Sequence, residues 1–311
     1  MDGQGTIGAV LSLALLGQAL RISIPYVLAA LGGTVSERGG IVNIALEGLI
    51  LTGAFCAVLG THATGSAAVG LLCAMAGGAL VALLHGVVTI RLRANQIISG
   101  LAINILAIGL TKYLLKIVFH SSSNSSRIDG LPTWGALASV PVVGDAAASP
   151  MALLTVALIL AVHWGLYRTT AGLRLRAVGE HPLCAETLGV SVARMRYLGV
   201  ALSGVLAALG GACLAFEQHG FSDGMSGGRG YIALTAVVFG KWTPLGAALA
   251  AVLFGAAEAV QIQLQTMGVR IPTQFVQMIP YVLTIVVLAG VIGRARPPAA
   301  SGQPYPAEGH E

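Results

Sequence analysis

The chain has 311 residues, 56% of them hydrophobic and only 9% charged, with a formal net charge of +5 and a mean hydropathy of +0.84. A soluble domain carries roughly 25% charged residues to cover its surface, so a water-soluble globule is excluded and a polytopic membrane protein is indicated. The basic residues concentrate in a few connections, a distribution that orients membrane helices and not one that grips nucleic acid.

At about 20 apolar residues per crossing, the length holds about 8–10 spans of an all-α transmembrane helix bundle. Apolar runs predict spans near 7–34, 44–61, 66–90, 96–119, 150–167, 197–217, 230–240, 244–266 and 273–293. The run at 230–240 is too short to cross alone, and Arg21 interrupts the first. No basic stretch precedes that first run, so it reads as a span and not as a cleavable signal. Glycine is abundant, at 42 residues, and small residues let membrane helices approach closely.

The first two runs are separated by Ser36-Glu37-Arg38-Gly39-Gly40-Ile41-Val42-Asn43-Ile44-Ala45-Leu46-Glu47-Gly48. No Asp, Glu, Lys or Arg occurs from Gly3 to Leu20 or from Gly48 to Ile90. Charges and paired glycines between such stretches predict a discontinuous helix. Irregular backbone at membrane depth survives only inside protein or beside a watery cavity, and broken helices build substrate sites in transporters. Glu37 and Arg38 read as a mutually neutralising structural or gating pair. Asn43 and Glu47, four apart, share a helix face and are candidates to line a ligand cavity or to bond between helices. Asn95, Gln96, Ser99 and Asn104 open the fourth span as further polar candidates.

The segment from His120 to Pro150 is rich in Ser, Gly and Pro and reads as an extracytoplasmic loop. Arg168, Arg174, Arg176, Arg194 and Arg196 share the 168–196 connection, which the positive-inside rule places in the cytoplasm. Counting outward puts Arg38, Arg91, Arg93, Lys241, Arg294 and Arg296 inside as well. Within that connection, Pro182 suits a first helical turn and Gly189 a stop. A helix this short is marginal alone and is expected to dock on something.

Leu28-Ala29-Ala30-Leu31-Gly32-Gly33 recurs as Leu206-Ala207-Ala208-Leu209-Gly210-Gly211. A glycine-rich break and then Ile-Ala-Leu follow each copy, at 44–46 and 232–234. In the predicted topology the copies cross in opposite directions, the mark of an inverted repeat spanning about 7–119 and 150–293. Glu258, Gln261 and Gln265 share a face, and a lone carboxylate there is either protonated or faces water. Residues 1–296 form the membrane domain, and the polar tail 297–311 reads as disordered.

Enzyme signatures are missing. No Gly-x4-Gly-Lys-Ser/Thr phosphate loop occurs, so ATP hydrolysis is not expected on this chain. No HExxH or other metal pair is present, and Gly227-Gly228-Arg229-Gly230 follows no strand. Cys56, Cys73, Cys184 and Cys213 have no paired spacing. No cofactor is expected.

The 36–48 segment resembles the signature of permease subunits in the branched-chain amino acid, ribose and nucleoside group of bacterial ABC importers. Three further blocks are similar to the same family. They are Ala94-Asn95-Gln96-Ile97-Ile98-Ser99-Gly100-Leu101-Ala102-Ile103-Asn104, the loop Gly179 to Val190, and Gly228-Arg229-Gly230-Tyr231-Ile232-Ala233-Leu234 through Phe239-Gly240-Lys241-Trp242-Thr243-Pro244. The full first motif, with Phe-Gly-Lys-Trp near the end, looks most like the nucleoside (basic membrane protein) branch, with simple sugars as the alternative cargo.

The resemblance implies a multi-pass subunit of the bacterial inner membrane without its own ATPase. Its implied partners are a second homologous permease, a cytoplasmic ABC ATPase, an extracytoplasmic substrate-binding lipoprotein and the lipid bilayer. Glu180, His181, Pro182, Ala185 and Gly189 would belong to the helix that couples to the ATPase. The expected mechanism is alternating access around a polar cavity. Asn43, Glu47, Asn95, Gln96 and Asn104 are its expected hydrogen-bonding groups, with Phe221 or Tyr231 as stacking surfaces. The rivals are an ion-coupled secondary transporter, with Glu258 or Glu47 carrying protons, and a membrane-embedded enzyme.

Overall fold

A computed structural model describes residues 13–132, 149–267, 278, 282, 285 and 296–305. In chain order the helices are α1 (Leu13–Arg38), α2 (Leu46–Thr64), α3 (Ala67–Gly86), α4 (Gln96–Phe119) and α5 (Pro150–Arg168). They continue as α6 (Thr170–Glu180), α7 (Pro182–Thr187), α8 (Val192–Glu217), α9 (Arg229–Phe239) and α10 (Pro244–Thr266). Among the described residues seven helices are long and apolar enough to cross a membrane, and α9 is shorter. The span expected at 273–293 lies outside the described residues.

Local sequence explains where the helices stop. α1 tolerates Pro25 in its interior, as membrane helices do when neighbours absorb the kink. It ends where Gly40 turns left-handed at φ 87°, a conformation cheap only for glycine. α2 closes on Gly65, whose N–H reaches Thr61 O at 2.7 Å. α3 loosens into a π-helical turn over Val87–Arg91. Thr243 and Pro244 start α10, the threonine hydroxyl accepting from Gly246 N at 3.2 Å.

The long buried helices α1, α2 and α8 form the centre, with α3, α9 and α10 packed around them. α3, α4 and α5 instead turn apolar side chains outward, among them Leu80, Ile98, Ile105 and Trp164. Such faces suit lipid or another membrane subunit. Loops predicted as cytoplasmic gather at one end, where Arg38 lies 3.7 Å from Glu180. Loops predicted as external gather at the other, where Lys112 pairs with Asp223 at 2.9 Å and Ser125 N–H reaches Phe221 O at 2.8 Å.

The two Leu-Ala-Ala-Leu-Gly-Gly copies lie against each other. A Cβ at Gly32 would stand 2.7 Å from Ser203 O, and one at Gly210 would stand 2.9 Å from Pro25 O. Residues 32 and 210 are equivalent in the repeat, as are 25 and 203, so the contacts exchange under a two-fold relation. Position rises along α1 as it falls along α8, which makes the two helices antiparallel. Lipid supplies no hydrophobic force between helices, so this close backbone approach and its dispersion contacts hold the centre together.

The tail departs from expectation. Residues 296–305 lie in turns against the end that carries the 168–196 connection, with Ala300 N–H on Gly179 O at 2.9 Å and Gly302 N–H on Gly40 O at 3.3 Å. Composition argued for disorder because the segment has little to bury, but main-chain hydrogen bonds and the burial of Ala300 hold it instead. Overpacking a tight core costs about 1–3 kcal/mol, so Gly32→Val and Gly210→Val should each lower the melting temperature in detergent, and similarly. Thermal unfolding of the purified chain checks this, and an unchanged melting point would contradict the crossing.

Candidate functional site

Two interruptions, at 39–45 and at 218–228, meet inside the bundle through one carboxylate. Glu47 stands in the first turn of α2 and is buried. Its Oε1 accepts from Gly228 N–H at 2.8 Å and its Oε2 from Gly230 N–H at 2.7 Å. Those donors are at the start of α9, where unpaired N–H groups and the helix dipole favour an anion. Gly228 adopts φ 84°, and a Cβ at Gly230 would overlap the Glu47 backbone. Glycine is required on both counts.

The first break is satisfied by neighbouring helices. Asn43 Nδ2 donates to Ser203 Oγ at 2.8 Å, and its Oδ1 accepts from Ala45 N–H at 3.1 Å. Val42 N–H reaches Gln96 Oε1 at 2.7 Å. Val42 O lies 3.2 Å from His85 Nε2, and His85 Nδ1 lies 2.9 Å from Ser99 Oγ. Asn104 bridges the two breaks. Its Oδ1 accepts from Gly48 N–H at 2.8 Å, and its Nδ2 donates to Ile44 O at 3.0 Å and to Tyr231 Oη at 3.1 Å.

α9 is held at its other end as well. Lys241 and Trp242 turn left-handed at φ 53° and 54°. Trp242 Nε1–H then donates to Glu37 Oε2 at 2.5 Å, and Arg38 Nε donates to Trp242 O at 2.6 Å. Glu37 and Arg38 therefore grip the α9–α10 corner in place of each other. Arg38 also faces Glu180 at the end of α6. Glu258 is no lone carboxylate: it accepts from Arg229 Nη2 at 2.7 Å and from Tyr26 Oη–H at 2.6 Å.

The expected pathway residues thus separate into groups. Asn43, Glu47, Gln96 and Asn104 converge on the breaks, yet they are 0%, 7%, 2% and 2% exposed and hydrogen-bonded within the chain. Asn95 is a helix cap, accepting from Ile97 N–H at 2.9 Å. Phe221 is buried edge-on against Phe55, with ring centroids 5.3 Å apart, so its face is closed to a ligand. Tyr231 is 44% exposed and alone among the proposed stacking surfaces remains open. Sequence reasoning passed over His85, Ser203, Tyr26 and Trp242. His85 carried a signal, being a polar residue deep in the charge-free 48–90 stretch.

In the 168–196 connection, α7 starts at Pro182 and stops before Gly189, at φ 78°, as the sequence indicates. Ala185 faces inward against Val178 and Val192. Leu183 and Leu188 point out, 54% and 83% exposed, so the outward apolar surface of this helix comes from residues the sequence reading had not chosen. No group of His, Cys, Asp or Glu side chains suited to a metal ion occurs among the described residues.

Leaving a buried donor unpaired costs about 1–3 kcal/mol, and Glu47→Ala would orphan two. It should destabilise the chain by about 2–5 kcal/mol, and Glu47→Gln, which keeps the shape and one acceptor, by less. Denaturation of both variants in nanodiscs checks the order.

Comparison with known proteins gives this bundle a family. A family model described as the permease component of the branched-chain amino acid transport system matches residues 15–288. The guanosine ABC transporter permease protein NupQ of Bacillus subtilis is 42% identical over 301 residues, covering 90% of this chain and 92% of that one. The nucleoside ABC transporter permease protein NupC of Lactococcus lactis is 39% identical over 297 residues, covering 91% and 93%. TsgC13 of Haloferax volcanii, provisionally named a glucose ABC transporter permease, is 35% identical over 311 residues, covering 90% and 92%. No solved structure matches the chain. A multi-pass helical bundle with two interlocked breaks, matched along most of its length, is a permease, and the chain belongs to the family of branched-chain amino acid transport system permease components.

Proposed function

We propose that this chain is one permease subunit of an ATP-driven importer in a bacterial inner membrane, and that its cargo is a nucleoside. The observation that carries the reading is the fastening of α9. One end of α9 hangs on Glu47 and on the Arg229–Glu258 pair. The other is gripped by Glu37 and Arg38, and Arg38 also touches the loop that carries α7. A push on α7 would therefore reach α9, and α9 adjoins the first break. That is the linkage alternating access requires: a rigid element moved from the cytoplasm beside an unwound segment.

The ATPase is a separate chain in this reading, and the exposed Leu183 of α7 and Leu188 just past its end are its contact. An external binding lipoprotein delivers the cargo, and a second permease closes the passage. The outward faces of α4 and α9 suit that role, since they combine apolar side chains such as Ile105 with the exposed Tyr231. Asn43, Glu47, Gln96 and Asn104 act as the wall that fixes the shape of the passage. Tyr231, oriented by Asn104, offers the aromatic surface that a nucleobase stacks on, while Phe221 fills the core behind. The names of NupQ and NupC support nucleosides over simple sugars.

Proteoliposomes holding this chain with its partner subunits should accumulate labelled guanosine only when ATP is supplied. Glucose uptake in place of guanosine would replace the cargo, and uptake that survives ATP removal but fails without a proton gradient would replace the class. Burying an unpaired carboxylate is costly, so Leu188→Asp should weaken ATPase association at least about tenfold while the chain stays in the membrane. Co-purification of the complex measures it.

A further inference from the structure

The segment 296–305 lies where the transport reading has no use for it, across the junction between the cytoplasmic loop and the first break. Its hold on each element is specific. Ala299 N–H lies 3.2 Å from Glu180 Oε2, and Ala300 N–H donates to Gly179 O at 2.9 Å. Two residues on, Gly302 N–H donates to Gly40 O at 3.3 Å. Gln303 O accepts from Arg196 Nη1 at 3.2 Å, and Tyr305 Oη–H donates to Glu186 Oε2 on α7. Pro297 and Pro298 stiffen the approach, and successive turns, Ser301 N–H to Pro298 O at 3.0 Å and Gln303 N–H to Ala300 O at 3.2 Å, shape the rest.

The fit is incomplete in two places. Arg196, a full charge in the first turns of α8, is 2% exposed, and its Nε and Nη2 have no hydrogen-bond partner. Among the described residues, the Gln303 carbonyl and the Tyr305 ring, 5.8 Å away, attend to it. A cavity of about 420 Å³ also remains between the segment and α7, bordered by Glu180, Leu183, Arg196, Gln303 and Tyr305. A guanidinium shut in with unmet donors disfavours the closed arrangement. The arrangement survives on a handful of single hydrogen bonds. Such a balance is easily reversed.

We propose that residues 296–305 are an autoinhibitory strap. Docked, the strap ties Glu186 and the α6–α7 loop to the first break and seals Arg196. Lifted, it frees α7 and opens Arg196 to an acidic side chain of the ATPase. This rests on the reading that α7 docks on an ATPase. The ATPase and the strap then compete for one face of the loop, and the strap restrains hydrolysis until the complex engages fully.

The test uses the complete complex in nanodiscs, with basal ATP hydrolysis and ATPase retention as readouts. Tyr305→Phe removes one hydrogen bond to a carboxylate and should raise basal hydrolysis about fivefold, the ratio expected when one such bond is lost. Deletion of 297–311 should raise it further with the ATPase retained. Unchanged or reduced hydrolysis in Tyr305→Phe, with the complex intact, would overturn the strap. If the truncated chain fails to assemble, Tyr305→Phe alone decides. Leu188→Asp separates the two readings. If it sheds the ATPase while Tyr305→Phe has no effect, only the strap falls. If it keeps the ATPase bound, the docking reading fails and the strap falls with it.

Discussion

A main chain that leaves helical conformation inside a bilayer must find all its hydrogen-bond partners in protein, because lipid offers none. Everything at the centre of this structure answers that demand over Gly39–Ala45. Val42 N–H is met by Gln96 from α4 and Val42 O by His85 from α3, and Ile44 O by Asn104. Asn43 folds back on Ala45 and reaches Ser203 on α8. Three helices, α3, α4 and α8, are thereby committed to one unwound stretch, and their relative positions follow from its needs.

The same demand explains why the polar residues of the motif are so completely enclosed. An asparagine or glutamate in this position does two jobs at once if it satisfies one break and orders another. Glu47 does so by capping α9, and Asn104 by touching both Ile44 and Tyr231. Side chains already engaged in this way are poor ligands for a passing solute but good determinants of the shape a solute meets.

Helix α9 is the element on which the arrangement turns. At 11 residues it cannot span the bilayer, and beyond the burial of Ala233, Ala236 and Val237 its position is fixed by polar bonds at its ends. Its N-terminal end hangs on Glu47 and Glu258, and its C-terminal end on Glu37 and Arg38 through Trp242. A short helix held by charge-assisted bonds at both ends moves as a unit when either end is displaced. The π-helical turn at Val87–Arg91, just beyond His85, gives α3 a local irregularity where it borders the break, and such turns often mark functional positions.

The helical membrane class, the break at Gly39–Gly40 and the α7 stop at Gly189 were all readable from residues alone, because hydropathy and glycine act locally. So was the kinship of the two Leu-Ala-Ala-Leu-Gly-Gly copies, though not that Gly32 and Gly210 exchange contacts across an antiparallel pair. Partners of buried polar groups were not readable. Glu258 looked solitary because Arg229 and Tyr26 lie 29 and 232 positions away in the chain, and Phe221 looked available because nothing near it in sequence shows that Phe55 covers it. Ala185 lies in α7 and Leu188 just past its end, and only packing against Val178 and Val192 decided which of them faces inward. Composition likewise described the tail as unable to bury anything, while Gly40 O and Gly179 O, brought together by the fold, provided the acceptors that hold it.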